Sequence, residues 1–191
     1  MGIIAVLLAA IIPAVNSLSK SSGTKGAVSN LMNALEHARA LAVTTGRATY
    51  VVFADQTTPE EYRCKAFVVF HEDETFTPKA ITKWHYLPTG IAFRPSSGIL
   101  TAQTGSPKIK FSCPGEIGSA PRELPFVKFD SNGMVPTPTG GLWIDLFAGF
   151  VNSGGQQTFT DKQQQVSGKY DAVVVARFTG RARYVNPYPT G

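Results

Sequence analysis

The chain has 191 residues, of which 43% are hydrophobic and 16% charged, a composition typical of a folded domain that excludes an intrinsically disordered protein. Its formal net charge of +5 permits an acidic partner such as nucleic acid. However, the basic residues are dispersed and form no block, which favours an ordinary solvated surface. The length suits one domain with an appendage.

An uncharged apolar run, GIIAVLLAAIIPAV, extends from Gly2 to Val15 directly behind Met1. Crossing a bilayer takes roughly 20 apolar residues, so the run is short for a membrane span and also fits a buried core helix. No basic segment precedes it and no convincing cleavage site follows, so it is a poor secretory signal. The residues that we expect to face a membrane or a helix bundle are Ile3, Ile4, Val6, Leu7, Leu8, Ile11 and Ile12, with Pro13 introducing a bend.

A second, amphipathic stretch follows this run. Its apolar residues have the spacing of one helix face, at Val28, Leu31, Leu35, Ala38 and Ala42. We therefore predict one long helix from Gly2 to about Thr45, interrupted by Pro13 and weakened by Gly23 and Gly26. We predict that residues 1–45 form this helix and that residues 46–191 form a β-rich globular domain.

We predict that the globular domain is β-structure, because short runs rich in β-branched and aromatic residues alternate with turn residues. We predict a polar, exposed loop over Gly154–Gly168, a hairpin for the first two strands and a tight hairpin for the last two. A helix followed by segregated strands gives an α+β fold with an antiparallel sheet. The predicted strands are Ala48–Ala54, Arg63–Phe70, Ile81–Leu87, Ile91–Phe93, Lys108–Cys113, Pro125–Asp130, Leu142–Val151, Tyr170–Phe178 and Arg181–Val185.

Catalytic and metal-binding motifs are absent from the sequence. His37, His71 and His85 lack the spacing of metal ligands, and there is no phosphate-binding loop. We therefore predict no enzyme activity, no cofactor, no metal and no small-molecule substrate. The segment Asp130-Ser131-Asn132-Gly133 superficially resembles the start of a calcium loop, but a type I′ or related turn explains it better.

The two cysteines, Cys64 and Cys113, form either one disulfide or two separate thiols, and the sequence pattern does not decide between them. A hydrolase that uses one of them as a nucleophile is a further alternative. No surrounding motif supports it.

Several segments together resemble the type IV pilins and pseudopilins. GIIAVLLAAIIPAV is similar to the later part of a prepilin N-terminal segment. LMNALEHARALAVTTGRATYVVF resembles minor pseudopilins of the general secretion pathway H class and FimT-like minor pilins, which share an Ala-Arg-x-x-Ala helix end, here Ala38 to Ala42. VKFDSNGMV and VVVARFTGRARYV resemble the Phe-x-x-x-Gly turn and the closing Gly-Arg hairpin of that group.

The resemblance implies a structural subunit with a pilin-like fold, whose N-terminal helix is first a membrane anchor and then part of a filament core. It implies a single-pass inner-membrane protein with its globular domain in the periplasm, in a type II secretion or type IV pilus system. Its partners would be other pilins or pseudopilins and the assembly machinery. The leader, cleavage-site Gly, methylated Phe and early Glu of prepilins are missing, so we expect the natural start to lie upstream of Met1.

An alternative function concerns the last hairpin, Gly180-Arg181-Ala182-Arg183. It resembles the Gly-Arg-x-Arg motif with which some FimT-like minor pilins bind DNA for uptake. In a strand Arg181 and Arg183 point to the same face, and two neighbouring guanidinium groups suit a phosphate. With Arg177 they are the candidate DNA-binding residues. A solvated hairpin or a subunit contact is the other interpretation.

Overall fold

A long helix packs on two antiparallel sheets in the computed structural model of this chain. The structure describes residues 2–96, 109–114, 120–136 and 142–186, with side chains from residue 23 onward. The helices are α1 (Gly2–Thr45) and α2 (Lys162–Ser167). The strands are β1 (Thr49–Phe53), β2 (Ala66–Glu72), β3 (Pro78–Ala80), β4 (His85–Tyr86), β5 (Ile91–Phe93), β6 (Lys110–Phe111), β7 (Arg122–Glu123), β8 (Phe126–Phe129), β9 (Leu142–Val151), β10 (Gln157–Phe159), β11 (Asp171–Val175) and β12 (Ala182–Val185).

Helix α1 is continuous through Gly23 and Gly26, so the predicted interruption does not divide it. It ends where Gly46 adopts a positive φ of 68° and its N–H donates to the carbonyl of Ala42 at 3.0 Å. A glycine at this position is the common way to terminate a helix. The predicted apolar face is confirmed, because Val28, Leu31, Leu35, Ala38 and Ala42 are all buried, together with Ala27.

The strands form two larger sheets and a small hairpin among the described residues. The first sheet has the order β3-β2-β1-β8, with β4 also pairing with β2. The second has the order β10-β9-β11-β12, with β5 also pairing with β9, and β6 pairs with β7. All of these pairings are antiparallel, which confirms the predicted α+β fold and both predicted hairpins, β1–β2 and β11–β12.

The first sheet is buried on both faces. Successive side chains of a strand point in opposite directions, so β1, β2 and β8 each contribute to a core on either side of the sheet. Val51 and Phe53 of β1 belong to the larger core, which also contains the buried face of α1 and side chains of the second sheet. Tyr50 and Val52 point the other way into a second core, with Phe111 of the β6–β7 hairpin. This explains why β1 is buried along its whole length.

Several predicted segments differ from the structure. Among the described residues of the strand predicted over Lys108–Cys113, only Lys110–Phe111 pair as β6, and β11 ends at Val175 and not at Phe178. The strand predicted over Ile81–Leu87 contains only β4, because the Thr82 hydroxyl, instead of a backbone carbonyl, accepts from the Val69 N–H at 3.1 Å. The loop predicted over Gly154–Gly168 contains β10 and α2. Helix α2 forms because the Asp161 carboxylate accepts from the Gln163 N–H at 2.8 Å and Gly168 closes its other end.

Candidate functional site

The C-terminal half of α1 is attached to the last hairpin through the side chain of Arg39. Its Nε donates to the carbonyl of Thr179 at 2.7 Å, and its Nη1 lies 3.5 Å from Oε2 of Glu36 one turn earlier. The second carboxylate oxygen of Glu36 accepts from the backbone N–H of Ala182 at 3.0 Å. Two neighbouring side chains of α1 therefore hold both sides of the turn between β11 and β12.

Gly180, within that turn, is buried at a point where no side chain fits. Its φ is +62°, and a Cβ there would lie 1.9 Å from the carbonyl oxygen of Gly133 and 3.0 Å from Cδ of Arg39. A real Cβ never approaches a backbone oxygen that closely, so any larger residue forces the two turns apart.

Gly133 belongs to the Asp130–Gly133 turn after β8. Oδ1 of Asp130 accepts from the N–H groups of Asn132 and Met134, each at 2.9 Å, and Gly133 has a φ of +73°. Because Asn132 is not at a positive φ, the turn is not type I′, and the Asp130 carboxylate accepts hydrogen bonds from the backbone of the turn itself. The Val135 N–H donates to the carbonyl of Arg177 at 2.9 Å, which joins the turn to the last hairpin.

Three segments that carry the family resemblance therefore meet at one place. We call it the α1 junction, and it consists of Glu36, Arg39, Gly133, Thr179, Gly180 and Ala182. Each segment is recognisable separately in the sequence, but their contact is not. The available signal was Arg39 itself, a charged residue placed directly after a buried position of the apolar helix face.

The three arginines predicted to bind DNA have different environments. Arg181 and Arg183 are exposed, and neither has an ion pair with a described residue. Arg177 is half-buried, with its guanidinium carbon 5.4 Å from the centre of the Phe178 ring. Arg181 precedes β12, so strand alternation does not fix the direction of its side chain relative to Arg183.

Arg183 lies in one row of the second sheet with Val174 of β11 and Trp143 of β9. Residues paired across neighbouring strands project from the same face, so Arg183 and Trp143 flank Val174. Trp143 is 45% exposed.

Cys64 and Cys113 are both thiols, so the disulfide alternative is not the one that the structure adopts. They lie in different cores: Cys64 is part of the larger core beneath α1, whereas Cys113 packs against the second core. Burial, followed by the charge of Asp55, raises the pKa of the Cys64 thiol to about 12. A thiol that stays protonated at neutral pH is a poor nucleophile, which argues against a hydrolase that uses Cys64.

Two of the three histidines contact other side chains of the body, and the third is exposed. Nδ1 of His71 lies 3.0 Å from the Thr49 hydroxyl, and the His85 ring stacks on Phe67 with centroids 5.4 Å apart. His37 is exposed on α1. Across the described part of the chain, no three His, Cys, Asp or Glu side chains come together as a metal site.

The residues predicted to face a membrane or a helix bundle, from Ile3 to Pro13, lie outside the described side chains, although their backbone is helical. Within the portion that was described, no helix is long and apolar enough to span a bilayer.

Comparison with models of protein families gives no match, and comparison with the sequences of curated proteins gives none either. Among solved structures, the chain is similar to the minor pseudopilin EpsH from the Type 2 Secretion System of Vibrio cholerae. The two are 12% identical, the match covers 84% of this chain and 94% of the other, and the TM-score is 0.44.

Proposed function

We propose that this chain is a non-enzymatic structural subunit, a minor pilin or pseudopilin of a type II secretion or type IV pilus system. The observation that carries the proposal is the α1 junction. There the Ala-Arg-x-x-Ala helix end, the Phe-x-x-x-Gly turn and the Gly-Arg hairpin, which were matched to that family one by one, are in mutual contact. Segments that resemble one family and depend on each other physically support a shared architecture better than separate matches do.

The length of α1 supports the same proposal. The helix has 44 residues, and the apolar face that fills the core of the body extends from Ala27 to Ala42. The uncharged run from Gly2 to Val15 precedes this face by more than ten residues. An apolar helical segment is stable in a bilayer or among other apolar helices. It would anchor the subunit in the inner membrane before assembly and join the helix bundle of a filament afterwards.

Moving the apolar run from the bilayer into a helix bundle requires energy from another protein. Lipid tails are as apolar as a helix bundle, so moving Leu7 or Ile11 from one to the other changes the hydrophobic free energy little. The chain has no phosphate-binding loop, so an assembly ATPase among its partners would supply that work.

Membrane attachment is tested by flotation of the full chain on phospholipid vesicles, compared with Leu7→Glu/Ile11→Glu. The full chain should float with the vesicles and resist extraction by alkaline carbonate. The double variant should remain in the dense fractions, because a charge in the hydrocarbon core costs about 2.5–3.5 kcal/mol. Phe178→Glu, which adds a charge to an exposed site on the body, is the control and should float. Equal flotation of both variants contradicts the anchor.

The exposure of Arg181 and Arg183 favours DNA binding as a second candidate function. Two phosphate contacts on duplex DNA predict that log K falls with log salt concentration with a slope of about −1.8. Arg181→Ala/Arg183→Ala should abolish a mobility shift of duplex DNA at low salt. Lys79→Ala is the control for loss of a single surface charge, because Lys79 is paired with Asp73 at 2.8 Å on an edge strand of the other sheet. Undetectable binding by the unmodified protein excludes this function.

A further inference from the structure

A groove of about 660 Å³ opens on the body where it meets the helix. We call it the basal groove, and its walls include Glu61, Arg63, Lys65, Tyr86, Ile91 and Phe150. They come from three separate parts of the chain: the segment before β2, the region of β4 and β5, and the end of β9. It is therefore a feature of the folded body.

The basal groove adjoins the first residues of α1 whose side chains are described. A Cβ at Gly26 would lie 3.9 Å from the ring of Pro88, and one at Gly23 would lie 4.0 Å from the side chain of Ile91. Pro88 and Ile91 also line the groove. Gly23 is eight residues beyond Val15, the end of the uncharged apolar run, which corresponds to about 12 Å along a helix.

A membrane surface comes within reach of this part of the body when the apolar run lies in hydrocarbon. The headgroup layer occupies about 5–7 Å on each side of the hydrocarbon core. Membrane helices tilt by about 20° on average, which lowers one side of the attached body by a further few Å. The basal groove then meets the headgroups.

The side chains of the groove suit that environment. Tyr86 is 50% and Phe150 is 56% exposed. Aromatic rings of this kind are enriched at the level of lipid headgroups. The groove also carries both signs of charge, with Glu60 and Glu61 close in sequence to Arg63 and Lys65. A zwitterionic headgroup complements such a pair of charges, because its phosphate suits the basic residues and its ammonium suits the acidic ones.

Arg63 is one of the two basic side chains that line the groove. Its Nε is enclosed by the protein, so the terminal Nη groups are the donors that a ligand in the groove would contact. A guanidinium group has five N–H donors and binds phosphate oxygens in pairs. This leaves Arg63 as the basic side chain of the groove best suited to a phosphodiester.

We propose that the basal groove seats the body on the membrane surface and binds zwitterionic phospholipid headgroups between its acidic and basic walls. This inference rests on the proposed function, because it requires α1 to be inserted in the bilayer. It adds contacts between the globular body and phospholipid headgroups, which the apolar helix alone does not imply.

Photo-crosslinking of the full chain in vesicles of mixed phosphatidylethanolamine and phosphatidylglycerol tests this. p-Benzoyl-phenylalanine replaces Phe150, and in a matched variant it replaces Phe178. Phe178 is 76% exposed and adjoins Thr179, which accepts a hydrogen bond from Arg39. Arg39 lies 13 residues beyond Gly26, or about 20 Å further along α1, so position 178 is farther from the membrane than the groove. Mass spectrometry should find several-fold more lipid adducts at position 150 than at position 178, with phosphatidylethanolamine predominating. Arg63→Gln/Lys65→Gln should reduce that yield.

The outcomes separate this inference from the proposed function. Flotation of the chain without lipid adducts at position 150, or with equal yields at both positions, overturns the seating of the body while leaving the anchor intact. Predominance of phosphatidylglycerol adducts overturns the assignment of a zwitterionic headgroup. Failure of the chain to float overturns the proposed anchor and this inference together.

Discussion

At the scale of single residues, Gly180 is the most constrained position of the α1 junction. Gly180→Ala combines a positive φ with a Cβ placed 1.9 Å from a backbone oxygen, and we expect a loss of stability of about 2–4 kcal/mol. Gly46→Ala is the matched control, because Gly46 has a φ of +68° with nothing within 4 Å of the added Cβ, and it should cost about 1 kcal/mol. Urea unfolding in mild detergent measures both. Equal losses would show that the close contact with Gly133 does not exist.

The two thiols differ in environment, which predicts unequal reactivity. Cys64 is buried and its pKa is raised to about 12, whereas Cys113 is partly exposed. At pH 8 iodoacetamide should modify Cys113 quickly and Cys64 only as fast as the protein opens locally. Mass spectrometry should therefore find one label on the native chain and two after denaturation. Absence of any label without a reductant would instead indicate a disulfide.

Tyr50 makes the protein sensitive to alkali. Burial, reinforced by its hydrogen bond to Glu72, raises the pKa of Tyr50 above its ordinary value near 10. Above about pH 10 the unfolded chain loses this proton while the folded chain keeps it, so stability falls by up to about 1.4 kcal/mol per pH unit. Urea unfolding between pH 8 and 11 should show this slope, and Tyr50→Phe should flatten it. An unchanged slope in the variant would assign the sensitivity to other groups.

At the scale of elements, α1 is held on the last hairpin by polar contacts at the edge of its apolar face. Glu36→Ala leaves the N–H of Ala182 without its acceptor and should cost about 1 kcal/mol. Glu36→Gln keeps an oxygen in place and should cost about half as much or less. Hydrogen exchange of the Ala182 amide reports the contact directly, and it should accelerate in the alanine variant alone. Similar exchange rates in both variants would contradict the geometry.

Some helices and strands could be predicted from the sequence, and others could not. The apolar face of α1 follows from its helical periodicity, and strand β9 follows from its run of aliphatic and aromatic residues beside turn residues. Helix α2 could not be recognised in this way, since its apolar residue, Val166, is exposed and its one buried residue, Gln164, is polar. The Gln164 side chain accepts from the Ala148 N–H of β9 at 2.8 Å, a long-range hydrogen bond without any local signature.

The α1 junction was predictable only in its parts. Arg39, Gly133 and Gly180 each stand out in the sequence, but their contact depends on how the two turns stack beneath the helix. No local pattern encodes that arrangement. The position of the basal groove beside Gly23 and Gly26 was unpredictable for the same reason, because the walls of the groove come from segments that are far apart in the chain.

At the scale of the whole molecule, the body fixes the direction of the helix. The α1 junction lies towards the C-terminal end of α1, and the basal groove lies near Gly23 and Gly26. Between them the buried face of α1 packs on both sheets. The body is therefore attached at two levels separated by about 20 Å along α1, which fixes its orientation on the helix.

The proposed function requires the apolar run of α1 to join the helices of other subunits in a filament. The most direct measurement is photo-crosslinking in cells that express the complete assembly system, with p-benzoyl-phenylalanine at Leu7. The account predicts adducts with the N-terminal helices of other pilin-like subunits that disappear when the assembly ATPase is inactivated, while membrane attachment persists. Adducts with lipid alone in the active system would contradict it.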